Sequence, residues 1–392
     1  MNQQSIIQNK ALYERASAFE FLPPIKVGGG WGSKEEPVEF APLEYLENGD
    51  IIVRIKAAGA KEVVMTSSGI TNWHFQIPMQ EIFEGVFEAV IPADMGMYGN
   101  ITLTFLADGT ECFNPSIPSQ YYGYRLLNCI EIPDPETPYI EVRDVPHGAV
   151  TQELFWSESV KQWLRCMVYT PPMYHEGGEY PVLYLQHGAG ENETCWTQNG
   201  KLPHILDNCI AEGKARPFIV VMNHGMMRRP GENGINDFAG IEGIITEDCR
   251  HYIESRYRVK KDKWNRAIAG LSLGSMQACY IGMRHPDLYG SIGTFTFMRC
   301  RDKAPKFEDN PHLDILKDKE RFGSEYKLFF RSIGGRERTW QEFEEDDAFL
   351  SKYGIDQLPG YRRFVFPNEN HNWNCWRRAL YFFTQEVFQD AD

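Results

Sequence analysis

No stretch of this 392-residue sequence approaches the roughly 18 to 20 apolar residues that a membrane-crossing helix needs, so no transmembrane segment is expected. Basic residues are short in number: 40 Lys and Arg stand against 54 Asp and Glu, for a formal net charge of −14. Nucleic acids and anionic membranes are bound through basic surface, so neither is an expected partner. The nine cysteines are odd in number and contain no C-x-x-C pair. Reduced, mostly buried thiols are therefore expected, not a disulfide framework or a zinc site. Internal repeats and low-complexity tracts are absent. The first ten residues carry no basic region followed by an apolar one. A signal peptide is not expected on that pattern, and the cytoplasm is the expected location. The run Gly28-Gly29-Gly30-Trp31-Gly32-Ser33-Lys34 lacks the G-K-[ST] ending of a phosphate loop and reads as a flexible loop.

What is present is an ordinary globular composition, with 42% hydrophobic and 24% charged residues. The length implies two domains. Residues 1–40 form an N-terminal segment with one candidate helix at 9–20. Residues 41–132 read as β structure, with strands at 51–55, 61–65, 85–92 and 100–105. Turns built on Asn-Gly, Ser-Ser-Gly and Asp-Gly separate them, as in a small antiparallel, Ig-like sandwich. Pro133, Pro135 and Pro138 make 133–138 a semi-rigid linker. From 139 to 392 the pattern changes to apolar strands at 182–186, 218–222, 291–297, 328–333 and 364–366. Helix-like segments at 202–212, 241–257 and 340–352 alternate with them. That alternation implies a mostly parallel central sheet covered on both faces.

The chemistry centres on Gly270-Leu271-Ser272-Leu273-Gly274, a G-x-S-x-G pentapeptide. The apolar run Ala267-Ile268-Ala269 precedes it and a helical segment, 275–283, follows. A serine on such a strand-to-helix turn has its hydroxyl pushed clear of the backbone, and the flanking glycines relieve the crowding. Ser272 is the candidate nucleophile. Three histidines lie downstream. His285 reads as a helix-end residue and His312 as part of a charged loop. His371, after the last strand and ahead of the final helix, stands where the general base belongs in a Ser, acid, His order. Glu337, reached from strand 328–333 through Gly334 and Gly335, is the candidate acid; it would fix the tautomer of His371. Glu342, Asp346 and Asp347 are alternatives inside a helix. The Leu273 N–H and an N–H from His187-Gly188-Ala189-Gly190, that of Ala189, are the candidate oxyanion donors. In that loop His187 is expected to be structural.

The catalytic half resembles the esterase-D-like α/β-hydrolases, which include the feruloyl esterases of carbohydrate esterase family one and the enterochelin esterases. The resemblance rests on 144–148 (Asp-Val-Pro-His-Gly), 168–172, 180–188, 193–196, the pentapeptide, and His371-Asn372-Trp373 with 376–380, some 250 residues in all. The earlier half is similar to the early-set, glycogen-binding-like modules that precede such esterases; Asp108-Gly109 followed by Phe113-Asn114-Pro115-Ser116 carries that likeness. The family usually has Asp where Glu337 stands, and Gly-Gly-His where this chain has Glu369-Asn370-His371.

The resemblance implies a serine carboxylesterase that needs no metal or cofactor and takes feruloylated xylo- or arabino-oligosaccharides or a similar small ester. A flat hydroxycinnamoyl group suits an aromatic or Met-lined slot. Trp196, Trp373, Met276 and Gln277 are the candidate lining residues. In the first half, Trp31, Trp73, Tyr121 and Tyr122 are candidates for stacking on sugar rings. Two other readings remain: an esterase for a siderophore or an acetylated sugar, and a non-catalytic carbohydrate-binding protein.

Overall fold

The computed structural model describes residues 22–29, 34, 36–67, 72–226, 238–296, 298 and 311–389. The chain divides into two compact units, Met1–Val142 and Arg143–Asp392. The division falls just beyond the three prolines. The proline segment is held in turns, Thr137 N–H bonding the Asp134 carbonyl and Pro138–Ile140 forming a 3-10 turn. The candidate helix at 9–20 and Trp31 lie outside the described residues.

The first unit is built of short strands: β1 (Ile25–Val27), β2 (Val38–Phe40), β3 (Leu43–Tyr45), β4 (Ile51–Lys56), β5 (Val63–Ser67), β6 (Gln76–Phe83), β7 (Val86–Ile91), β8 (Gly99–Ala107), β9 (Thr110–Cys112), β10 (Ser119–Tyr122) and β11 (Arg125–Ile132). Every described pairing among them is antiparallel. β6, which sequence reading did not single out, joins two layers: its first half pairs with β5, its second with β7. Pro78 falls in the first half, where the other side of the strand is an edge and a missing N–H breaks no ladder bond. Val53, Met65, Ile101 and Phe105 fill the core between the layers.

Within this unit a buried amide pair closes the loop before β10. Asn128 Oδ1 accepts the Asn114 N–H at 2.8 Å, and Asn128 Nδ2 donates to the Asn114 carbonyl at 2.7 Å. Asn114 Nδ2 in turn donates to the Arg54 carbonyl at 2.7 Å.

The second unit holds one eight-stranded sheet: β12 (Ala149–Ser157), β13 (Gln162–Thr170), β14 (Val182–Gln186), β15 (Ile219–Asn223), β16 (Arg266–Leu271), β17 (Ser291–Phe295), β18 (Leu328–Gly334) and β19 (Tyr361–Phe366). Their order across the sheet is β12-β13-β15-β14-β16-β17-β18-β19. β14 to β19 run parallel to one another, and β12 and β13 pair antiparallel, so the sheet is mixed. All five residues of β14 and of β15 are buried, as expected for strands covered on both faces. The β12–β13 hairpin adds two strands beyond those expected from the apolar runs. From Glu153 to Ser157 its outer strand alternates buried and exposed, the period of a strand with one wet face.

The helices are α1 (Cys195–Gln198), α2 (Leu202–Ala211), α3 (Phe238–Gly243), α4 (Arg250–Arg256), α5 (Leu273–Arg284), α6 (Lys319–Glu325), α7 (Trp340–Lys352) and α8 (Trp373–Glu386). The segment expected as one helix over 241–257 carries a π-helical turn, Ile244–Cys249, between α3 and α4. The parallel strands all point their carboxyl ends the same way, and the loops leaving β14, β16, β18 and β19 hold the residues singled out above.

Asn128→Ala removes the acceptor and donors that satisfy Asn114. At roughly 1–3 kcal/mol per orphaned buried group, it is expected to destabilise the first unit by about 2 kcal/mol or more. Urea unfolding of the full chain checks this, and an unchanged midpoint would contradict it.

Candidate active site

β16 ends at Leu271 and α5 starts at Leu273, which leaves Ser272 alone at the turn. Its φ of 51° and ψ of −118° are costly for a residue with a Cβ, so the conformation persists only where packing imposes it. The imposing contacts are backbone on backbone. A Cβ on Gly270 would stand 2.3 Å from the Gly274 carbonyl oxygen. A Cβ on Gly274 would stand 2.6 Å from the carbonyl oxygens of Gln186 and His187. With hydrogen at both positions, the turn, the first residues of α5 and the end of β14 pack into one unit.

The loops after β18 and β19 are zipped together. Gly335 N–H bonds the Phe366 carbonyl at 2.8 Å, and Arg336 N–H bonds the Glu369 carbonyl at 2.9 Å. Gly334 permits this approach, since a Cβ there would lie 2.5 Å from the Glu369 carbonyl oxygen. Glu337 and His371 are thereby brought face to face. His371 Nδ1 is 2.7 Å from Glu337 Oε2, and His371 Nε2 is 2.9 Å from Ser272 Oγ. Glu337 Oε2 also accepts from the hydroxyls of Thr296 at 2.7 Å and Thr339 at 3.1 Å, and Oε1 from the Gly334 N–H at 3.1 Å. Burial alone would push this carboxyl up; the bonds from His371, Thr296 and Gly334 outweigh it and hold the carboxyl below its ordinary range. An ionised carboxylate only accepts, so Nδ1 of His371 is the donor and Nε2 the acceptor of the Ser272 proton.

Thr296 and Thr339 were not singled out from sequence. Thr339 lies two residues after the acid, a spacing at which a hydroxyl bonds back locally. Thr296 carries no sequence signal at all; it reaches Glu337 from the end of β17 with φ at 142°.

On the other side of Ser272, the Gly188 backbone comes close: a Cβ on Gly188 would lie 3.3 Å from Ser272 Cβ. Among the described residues, neither the Leu273 N–H nor the Ala189 N–H has a hydrogen-bond partner. The first N–H groups of a helix have none within the helix, and they attract negative charge. His187 is saturated: Nδ1–H donates to the Gly188 carbonyl at 2.8 Å and Nε2 accepts the Gly225 N–H at 2.8 Å. Burial lowers its pKa to about 4, so it is a neutral clamp.

The four candidate lining residues divide. Trp196 and Trp373 are 1% and 3% exposed and pack edge to face at 5.2 Å. That burial makes both core beneath the loops, and the Trp196 indole N–H donates inward to the Gln186 carbonyl at 3.0 Å. Gln277 is buried and donates to the Gly225 carbonyl at 2.8 Å, a structural tie. Met276 is half-buried. Of the alternative acids, Asp346 accepts the Met298 N–H at 3.1 Å and Asp347 pairs with Arg331 and Arg363. His285 bonds Glu242 at 2.8 Å, and the side chain of His312 lies outside the described residues. In the first unit, Trp73, Tyr121 and Tyr122 are half-buried, and Trp73 packs edge to face on Tyr98. Among the described residues no group of three or more His, Cys, Asp or Glu is arranged to hold a metal ion.

The family model described as Esterase matches residues 157–381, more than half of the chain. The "Endo-1,4-beta-xylanase/feruloyl esterase" of Xylanibacter ruminicola is 35% identical over 267 residues, which is 64% of this chain and 36% of that protein. The chain thus spans little more than a third of that relative's length. A ferulic acid esterase from Anaeromyces mucronatus, solved in complex with ferulic acid, aligns at 20% identity and a TM-score of 0.54, over 66% of this chain and 97% of that one. The enterobactin esterase of Shigella flexneri aligns at 16% identity and a TM-score of 0.59, over 88% of this chain and 94% of that one. At these identities the two structures share a fold with this chain.

Gly274→Ala forces a methyl group into two carbonyl oxygens. The expected result is a Tm lower by roughly 5 °C or more and loss of Ser272 labelling by a fluorophosphonate probe. A variant that keeps both wild-type melting and wild-type labelling would show that the turn tolerates a side chain.

Proposed function

The chain belongs to the Esterase family, and from that premise we propose that it is a serine carboxylesterase that hydrolyses feruloyl or related hydroxycinnamoyl esters of arabinoxylan fragments. One observation supports the chemistry above all: Ser272 Oγ, the His371 ring and the Glu337 carboxylate form one hydrogen-bonded line. The substrate class is supported by the 35% identity to a protein named as a xylanase and feruloyl esterase.

In this reading His371 Nε2 takes the proton of Ser272 as Oγ attacks the ester carbonyl carbon. The Leu273 and Ala189 N–H groups hold the oxyanion of the tetrahedral intermediate. Collapse breaks the ester bond, and the leaving sugar hydroxyl receives its proton from His371. Water then attacks the acyl-enzyme with the same base, which releases the acid and restores Ser272. Glu337 keeps Nδ1 protonated and stabilises the imidazolium, a role that a Glu fills here in place of the family's usual Asp. No step calls for a metal or cofactor.

Hydrolysis of methyl ferulate tests the reading. Ser272→Ala is expected to remove turnover, and equal rates in the two proteins would sink it. Glu337→Gln should lower kcat by roughly 10³- to 10⁴-fold with KM nearly unchanged. Acetate and catecholate esters, run in parallel, separate a hydroxycinnamoyl esterase from one acting on acetylated sugars or siderophores.

A further inference from the structure

Glu191 is a buried carboxyl that the steps above do not use. It follows Gly188-Ala189-Gly190, is 2% exposed, and accepts the Gly188 N–H on Oε2 at 2.8 Å. The Gly188 carbonyl is held as well, by His187 Nδ1–H at 2.8 Å and by the Glu191 N–H at 3.3 Å. Both ends of Gly188 are therefore fixed. The peptide bond is planar and trans, so a fixed Gly188 carbonyl aims the Ala189 N–H in the opposite direction. This is the N–H that has no partner, in a loop whose Gly188 packs on Ser272.

The groups facing Glu191 include no cation among the described residues. They are the Gly188 N–H, the Trp373 indole N–H and the Cys195 thiol, which also feels the carboxylate of Glu193, itself paired with Arg165 and His224. Oε1 of Glu191 and the Trp373 indole nitrogen form no hydrogen bond of ordinary distance and angle among the described residues. A buried carboxylate without a cation is costly, and an anion behind the oxyanion loop would repel the charge that develops on the substrate.

We infer that Glu191 is the positioning residue of the oxyanion loop, and that it works as the neutral carboxylic acid, holding the Gly188 N–H without opposing the oxyanion. This rests on the reading of Ser272 as the nucleophile of an esterase. Burial pushes the Glu191 carboxyl up to about 8, against the pull of the Gly188 and Trp373 N–H groups. The group is thus protonated at neutral pH and ionises as pH passes about 8.

The experiment compares the full chain with Glu191→Gln and Glu191→Ala in kcat and KM for methyl ferulate across pH. Wild-type kcat is expected to fall about tenfold or more above pH about 8. Glu191→Gln keeps an acceptor for Gly188 but cannot ionise; it should match wild type at neutral pH and lose the alkaline fall. Glu191→Ala should lower kcat about 10- to 100-fold with KM little changed, as a misplaced donor acts on the transition state. The inference is overturned if Glu191→Gln falls with pH as wild type does, or if Glu191→Ala keeps wild-type kcat. Carbon-13 NMR titration of the Glu191 carboxyl is independent of activity. A midpoint near 8 is expected, and a carboxylate already ionised at neutral pH overturns the inference. A wild type that hydrolyses no ester, with that NMR midpoint in place, would count against the esterase reading and leave the state of Glu191 standing.

Discussion

Everything at the candidate site depends on one close approach: Gly274 lying against the carbonyl oxygens of Gln186 and His187. It locks the first turn of α5 onto the end of β14. Three things are fixed at once: the backbone of Ser272, the orientation of the Leu273 N–H, and the start of the Gly188-Ala189 loop. The strain at Ser272, of order 1–3 kcal/mol for such a φ, is sustained because that contact and the one at Gly270 leave no relaxed alternative. The hydroxyl is then presented in a single direction, and the His371 ring need only arrive opposite it.

His371 arrives through a second close approach, built on the same principle. Gly334 and Gly335 let the loop leaving β18 lie against the loop leaving β19, and two backbone hydrogen bonds fasten them. The His371 ring is thereby set relative to Glu337 by backbone geometry and not by long side chains finding each other. Asn372 caps the helix that follows, accepting the Cys375 N–H at 3.1 Å, so the residue after His371 is fixed as well. Two pairs of packed glycines thus bring Ser272 and His371, 99 residues apart in sequence, to hydrogen-bond distance.

Much of this was legible in the sequence because it is written in residue types that only one geometry needs. G-x-S-x-G after an apolar run marks the turn at Ser272, paired glycines after an apolar strand mark Glu337, and the last histidine before the last helix is His371. The fully apolar β14 and β15 were equally plain. What stayed hidden is set by long-range packing. Thr296 meets Glu337 only because β17 and β18 are neighbours. Glu191 looks like any loop glutamate until its burial is known. Trp196 and Trp373 carry the composition of a ligand slot, yet two indoles stacked edge to face beneath a loop make equally good core. Aromatic content cannot separate those fates, because the same apolar area drives both.

The departure at Glu337 has a physical resolution. In the proposed triad Glu337 stands where the resemblance implies an Asp, one methylene shorter, so its carboxylate must be directed by something other than length. Five donors converge on this carboxylate: His371, the hydroxyls of Thr296 and Thr339, the Gly334 N–H and the Cys375 thiol. A cage of that kind fixes where the oxygens lie whichever stem brings them there. Its donors are also what outweigh burial and keep the group an anion. Glu191 is the converse case on the far side of Ser272, with the Gly188 N–H, no facing cation among the described residues, and a carboxyl pushed up by burial. Two buried glutamates flank one serine, and the donors around each decide the direction of its charge: five hold Glu337 toward the anion, while burial holds Glu191 toward the neutral acid.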